Sequence, residues 1–127
     1  MTPLRKFAVL LNGALLAGSA LAQASSTPHN LMVPYPAGGP SDTMARTMQV
    51  PLGKALGQSV IVENLGGAGG TIAAQKVLGS PTDGSHSLLG SPNEVILSPM
   101  VLAGVKFKAE DYRLVHPVSR ANMVFVA

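Results

Sequence analysis

The chain has 127 residues, no cysteine and a formal net charge of +3. That length suits one ordinary domain. Zero cysteine excludes disulfides, thiolate zinc sites, cysteine nucleophiles and lipid anchors on cysteine. Charged residues make up only 12% of the chain and are too scattered for a nucleic-acid surface, whereas a hydrophobic fraction of 46% excludes a disordered one.

At the N-terminus, Arg5 and Lys6 precede an uncharged run rich in Leu, Ala and Val from Phe7 to Ala20, and Ala20-Leu21-Ala22 supplies a small-x-small cleavage pattern. Basic start, apolar centre and small-residue end are the layout of a secretory signal peptide. Asn12 and Gly13 interrupt the run, which falls short of the ~20 apolar residues a spanning helix needs. Residues 1–22 are therefore expected to be cleaved after Ala22, with Ala24 as the near alternative. Cleavage leaves residues 23–127 with a net charge lowered from +3 to +1, because Arg5 and Lys6 leave with the signal. An exported, cysteine-free chain fits the periplasm, and no stable membrane anchor is expected after cleavage.

Ser25 to Asn30 is a polar lead-in, and Leu31 to Val33 reads as a buried strand ending near Pro34. After the turn Tyr35 to Pro40, Ser41 is placed to cap a helix and Asp42 falls in its first turn, where negative charge suits the helix dipole. Ala45, Met48, Leu52 and Leu56 recur at helical spacing; Pro51 predicts a kink or a split at Val50, and Gly57 a C-terminal stop. Ser59 to Glu63 is a second strand. Asn64 to Gly70 is a glycine-dense loop, and Thr71 to Leu78 a second helix with Ile72, Ala73 and Val77 on one side. Gly79 to Gly84 is a turn and His86 to Leu89 a third strand. The loop Gly90 to Asn93 leads into a short helix from Glu94, Lys106 to Asp111 is a polar connection, and Arg113–Val118 and Met123–Ala127 are two further candidate strands.

Strand, glycine-containing loop and helix thus follow one another three times, which predicts an α/β fold with a parallel sheet. Right-handed crossovers put all three loops at the carboxyl ends of their strands, the edge where ligands bind in open α/β sheets. The loops at 35–41, 64–71 and 90–93 contain no basic residue. Helix starts and glycine-rich backbone hold small anions through amides alone, so these loops suit a small anionic or polar ligand; the alternative is that the glycines serve only tight turns. Arg46 is the nearest cation, but Asp42 four residues earlier favours an intrahelical pair.

Other chemistries leave no signature. Phosphate-loop, dinucleotide and nucleophile-elbow motifs are absent. His29, His86 and His116 lack metal spacing, and the six carboxylates form no evident acid/base pair. No enzyme activity, cofactor or metal is expected. Tyr35 has a pocket role and a packing role open to it.

The stretch Val33-Pro34-Tyr35-Pro36-Ala37-Gly38-Gly39-Pro40-Ser41-Asp42 with Ala45-Arg46 resembles the V-P-[FY]-P-A-G-G-x-x-D-x-x-A-R signature of the Bug receptors, the extracytoplasmic solute-binding proteins of tripartite tricarboxylate transporters. Leu56-Gly57-Gln58 and Val60-Ile61-Val62-Glu63-Asn64 are similar to that family's L-G-Q-x-V-V-V-E-N. Gly67-Ala68-Gly69-Gly70 is similar to its G-A-G-G, and Pro81-Thr82-Asp83-Gly84 with Leu88-Leu89-Gly90 to its P-D-G-Y-T-L-L-x-G. Asn93 to Met100 departs from its A-x-N-P-x-L pattern. The resemblance implies a type II periplasmic-binding-protein fold with two lobes around a cleft, of which residues 23–127 would be the incomplete, N-terminal part of the first lobe, its parallel-sheet portion. It further implies a receptor that grips a small carboxylate through loop amides and water and delivers it to a membrane permease.

Carried onto this sequence, the resemblance assigns ligand binding to Tyr35, Pro36, Ala37, Gly38, Gly39, Ser41 and Asp42 in the first loop. It assigns the same role to Gly67, Ala68, Gly69, Gly70 and Thr71 in the second loop and to Ser91 and Pro92 in the third. With the rest of the first lobe and all of the second lacking, residues 1–127 are expected to be a truncated receptor with little affinity of its own. The competing expectation is a small exported interaction module that pairs an open sheet edge with a partner.

Overall fold

The computed structural model describes residues 27–120, so the expected signal peptide (residues 1–22) and the candidate strand Met123–Ala127 lie outside the described residues. Strand β1 (His29–Val33) lies between β2 (Val60–Asn64) and β3 (His86–Leu88), parallel to both. The register pairs Val33 with Asn64 and Met32 with Leu88, so all three strands end at one edge. The α/β class and the parallel sheet are as the alternation of elements predicts.

β1 is central because it is apolar on both faces. Successive side chains of a strand point to opposite sides. Leu31 and Val33 join Val60 and Ala45 in one core cluster, flanked by Tyr35, Leu52, Val62 and Leu89, while Met32 is buried between them in sequence. The chain steps from β1 to β2 in one direction and from β2 past β1 to β3 in the other. Right-handed crossovers then place helix α1 (Pro40–Leu56) and helix α2 (Thr71–Leu78) on opposite faces of the sheet. The reversal makes the carboxyl ends of β1 and β3 the switch point of the sheet, the position where doubly wound sheets take their ligands.

Several local expectations change. The first strand begins at His29, inside the expected polar lead-in: His29 is buried, its Nδ1–H donating to the Gly84 carbonyl (3.1 Å) and its Nε2 accepting from Ser87 Oγ (2.8 Å). α1 starts at Pro40 with Gly39 as the cap, not at Ser41. Proline fits the first helical position because the N–H it lacks would be unpaired there anyway. Pro51 does not split α1 into two elements; the helix runs on to Leu56, held against the sheet by Ala45 and Leu52, and stops at Gly57 in the left-handed region (φ 67°). Beyond β3, Asn93–Leu97 forms a widened π-type turn that runs on into a short helix α3 (Ser98–Val101). Pro99 accounts for the widening, since it has no N–H to give and its ring crowds the carbonyl four residues back.

In α2 the buried residues are Thr71, Ala73 and Ala74. Ile72 is 49% exposed and lines an open groove with Gln75, Gly104, Val105 and Phe107, contrary to its expected place on the inner face. Phe107 is buried and meets Tyr112 edge-on at 5.6 Å; burial pushes the Tyr112 hydroxyl up to about 12, with Asp111 adding to the rise. The expected strand Arg113–Val118 does not form. Leu114 and Val115 are each 84% exposed, and among the described residues no strand lies beside them to take their amides.

Candidate functional site

The sheet edge brings the three loops into contact. The Asn64 side-chain amide, at the end of β2, donates to the Tyr35 carbonyl (3.2 Å). Asn93 Nδ2 donates to the Gly69 carbonyl (3.2 Å), and Gly66 abuts Pro36. The Tyr35 hydroxyl lies 3.3 Å from Ser91 Oγ across the β1–β3 switch point. Of the residues assigned from sequence, Tyr35, Pro36, Gly69, Gly70 and Ser91 therefore share one rim. Ala37 and Gly38 form the exposed outer lip of the first loop, and Pro92 is exposed beside Ser91.

Backbone geometry fits this rim for close approach by a ligand. Gly67, Ala68, Gly69 and Gly70 all have positive φ (120°, 46°, 64° and 88°), a left-handed turn closed by the Gly70 N–H donating to the Gly67 carbonyl (2.9 Å). Ala68 alone carries a side chain in that run, a conformation that costs L-residues roughly 1–2 kcal/mol. The N–H groups of Ala37 and Gly67 make no hydrogen bond among the described residues, and the first turn of α1 leaves the amides of Ser41 and Asp42 facing outward along the helix axis. Thr71 is buried, with its hydroxyl donating to the Ala68 carbonyl (2.8 Å), so it props the turn.

Two carboxylates stand behind the rim. Asp42 is 3% exposed; its Oδ2 accepts from the Gly38 N–H (2.8 Å) and from Arg46 Nε (2.9 Å), as the four-residue spacing predicts. The Arg46 hydrogen bond and then the Gly38 amide pull its carboxyl down to about 2. Its Oδ1 is buried and finds no donor among the described residues. Arg46 also reaches Asn64 Oδ1 (3.3 Å), so the nearest cation is spent on the scaffold. The second carboxylate, Glu94, was expected only as the start of a helix and is fully buried. Its Oε1 accepts from the Ser91 N–H, and its Oε2 from Ser91 Oγ (2.8 Å) and the Tyr35 hydroxyl (3.0 Å). A Cβ on Gly70 would come within 3.0 Å of Glu94 Cβ, and one on Gly90 within 2.9 Å of its Oε1, so both glycines make room for it. The sequence signal for Glu94 is faint: an acid just past a Gly-Ser-Pro loop, with Ser91 three residues before it and its third donor, Tyr35, 59 residues away.

The family model for the "Tripartite tricarboxylate transporter family receptor" matches residues 44–127. The chain belongs to this receptor family. A UPF0065 protein of Agrobacterium vitis, from the TAR-I ttuE-ttuC' intergenic region, is 49% identical over 87 residues, covering 67% of this chain and 25% of that protein. BugT of Bordetella pertussis is 33% identical over 97 residues, covering 76% of this chain and 28% of BugT. Among solved structures, MatC of Rhodopseudomonas palustris with bound malate superposes with a TM-score of 0.61 at 31% identity, over 65% of this chain and 28% of MatC. The chain thus spans about a quarter of the length of these tripartite-receptor relatives. The family is one of solute-binding receptors, and among the described residues no helix is long and apolar enough to cross a membrane.

Proposed function

We propose that this chain supplies the first-lobe wall of a periplasmic receptor, not an enzyme, that captures a small carboxylate for the permease of a tripartite transporter. Residues 1–22 would direct export and be removed. Residues 23–127 would form the N-terminal part of the first lobe, and a second lobe would close the cleft over the solute. The observation that carries the reading is the rim itself: three glycine-containing loops without a basic residue meet at the switch point of a parallel sheet, and the amides of Ala37, Gly67 and the α1 start have no partner among the described residues. Amides at a helix start and in a left-handed turn hold an anion through oriented dipoles, which offsets the cost of stripping its water. Ala37, Gly38, Gly39, Ser41 and the Gly67–Gly70 turn would grip the carboxylate, while Asp42 and Thr71 would hold the loops in shape. Malate bound to MatC is the solute chemistry the reading extends to this chain.

Calorimetric titration with malate, citrate and glutamate tests it. The protein as its host exports it should bind at least one of them at micromolar Kd, whereas residues 23–127 expressed by themselves should bind weakly, having one wall of the cleft. Absence of binding to every carboxylate by the exported protein would overturn the receptor reading. Micromolar binding by residues 23–127 alone would overturn the need for a second lobe.

A further inference from the structure

We infer that Glu94 is a specificity-determining positioning residue: it takes the hydroxyl protons of Tyr35 and Ser91 and so makes the β1–β3 end of the rim an acceptor-only edge. The inference rests on the receptor reading above and deepens it. Three donors converge on the two Glu94 oxygens: the Ser91 N–H, Ser91 Oγ and the Tyr35 hydroxyl. A carboxylate can only accept, and a hydroxyl has one proton to give. With that proton committed inward, Ser91 Oγ and Tyr35 Oη retain only lone pairs for other partners. Ser91 Oγ already uses one of them, accepting from the Asn93 N–H (3.2 Å). No Lys, Arg or His hydrogen-bonds Glu94 among the described residues, so its negative charge adds to that polarity and is not cancelled locally. Tyr35 and Ser91 are only half-buried, which leaves them within reach of a solute at the switch point.

The consequence divides the rim into two halves. The amide half, where the N–H groups of Ala37, Gly67 and the α1 start make no hydrogen bond among the described residues, offers donors and suits a carboxylate. The Tyr35–Ser91 half offers acceptors and suits a group that brings its own proton, such as an alcohol or an ammonium. A four-carbon dicarboxylate bearing a hydroxyl should therefore bind better than one without. A hydrogen bond in such a setting is typically worth about a tenfold preference, because the solute lacking the donor leaves acceptors stripped of water and unpaired.

The test compares malate with succinate by titration calorimetry on the exported protein and its Glu94→Gln variant. Glutamine keeps the shape of the side chain but offers an NH₂ to Tyr35 Oη and Ser91 Oγ, which turns their protons outward. The wild type should prefer malate about tenfold or more, and Glu94→Gln should bring the two solutes to within about twofold. Tyr35→Phe, which deletes one acceptor and leaves Glu94 in place, should also lower the preference, and it carries the test if Glu94→Gln does not fold. Preference for malate unchanged in a folded variant would overturn this inference and leave the receptor reading standing. A wild type that binds succinate as well as malate would overturn it equally. A wild type that binds neither overturns both.

Discussion

Asp42 and Glu94 are both buried carboxylates behind the same rim, yet they are held in opposite ways. Asp42 sits at a helix start with a cation from its own helix and an amide from its own loop, all within four residues. Glu94 has neutral donors only, gathered from the ends of two different strands. The first arrangement is local and would exist in the isolated helix. Two of Glu94's bonds, from Ser91, are equally local, but the third, from the Tyr35 hydroxyl, exists only when the sheet has formed, so Glu94 also fastens the β1 loop to the β3 loop, whereas Asp42 fastens within one loop. The difference predicts that Glu94 contributes more to cooperative stability, because losing it leaves the Ser91 amide and two half-buried hydroxyls without their acceptor.

Glu94→Ala is accordingly the change expected to destabilise most, by about 3 kcal/mol, combining unpaired donors with a cavity. Urea denaturation followed by circular dichroism measures it; a loss below ~1 kcal/mol would make Glu94 as local a fastener as Asp42. Gly70→Ala follows, with an expected loss of about 2 kcal/mol. Its φ of 88° disfavours a side chain, and a Cβ would press on Glu94 Cβ at 3.0 Å and Pro34 Cβ at 3.1 Å, backbone-near atoms with little freedom to move. Ala68→Gly at the neighbouring position should go the other way, since glycine relieves the φ of 46° while freeing the unfolded chain, a net gain of at most ~1 kcal/mol.

The same contrast explains what could be read from sequence. The Asp42–Arg46 pair, the Gly57 stop and the full extent of α2 follow from spacings of a few residues, and the parallel sheet from the alternation of strands and helices; each stands where the pattern puts it. The cross-strand role of Glu94 could not be read, because it depends on Tyr35, 59 residues earlier. The place of His29 in the first strand could not be read for the same reason: its partners Gly84 and Ser87 arrive with β3. Pro51 shows the reverse case: the split that a local rule allows does not occur, and α1 packs on the sheet through Ala45 before it and Leu52 after it. Arg113–Val118 has strand-like composition but no neighbouring strand to pair with among the described residues, and composition does not supply a neighbour.

Arg46→Ala is the mildest of these changes and the one that separates the two carboxylates by pH. The Arg46 side chain is about half exposed, so the ion pair is screened and its loss should move the urea midpoint at pH 7 by only ~0.2 M. The acid response is more telling. Asp42 has its carboxyl lowered from 3.8 to about 2, with Arg46 the largest cause. A carboxyl lowered in the folded state adds stability above its unfolded value, and that stability is lost as pH falls through the folded value. The wild type should therefore weaken between about pH 4 and pH 2. Without Arg46 the carboxyl returns toward its ordinary value, so Arg46→Ala should start slightly lower at pH 7 and lose less on acidification, the two curves converging near pH 2. Denaturation midpoints at pH 7, 4 and 2.5 decide it. Parallel curves would mean that the Gly38 amide, not the ion pair, holds Asp42 ionised, and the local fastener would then belong to the loop and not to the helix.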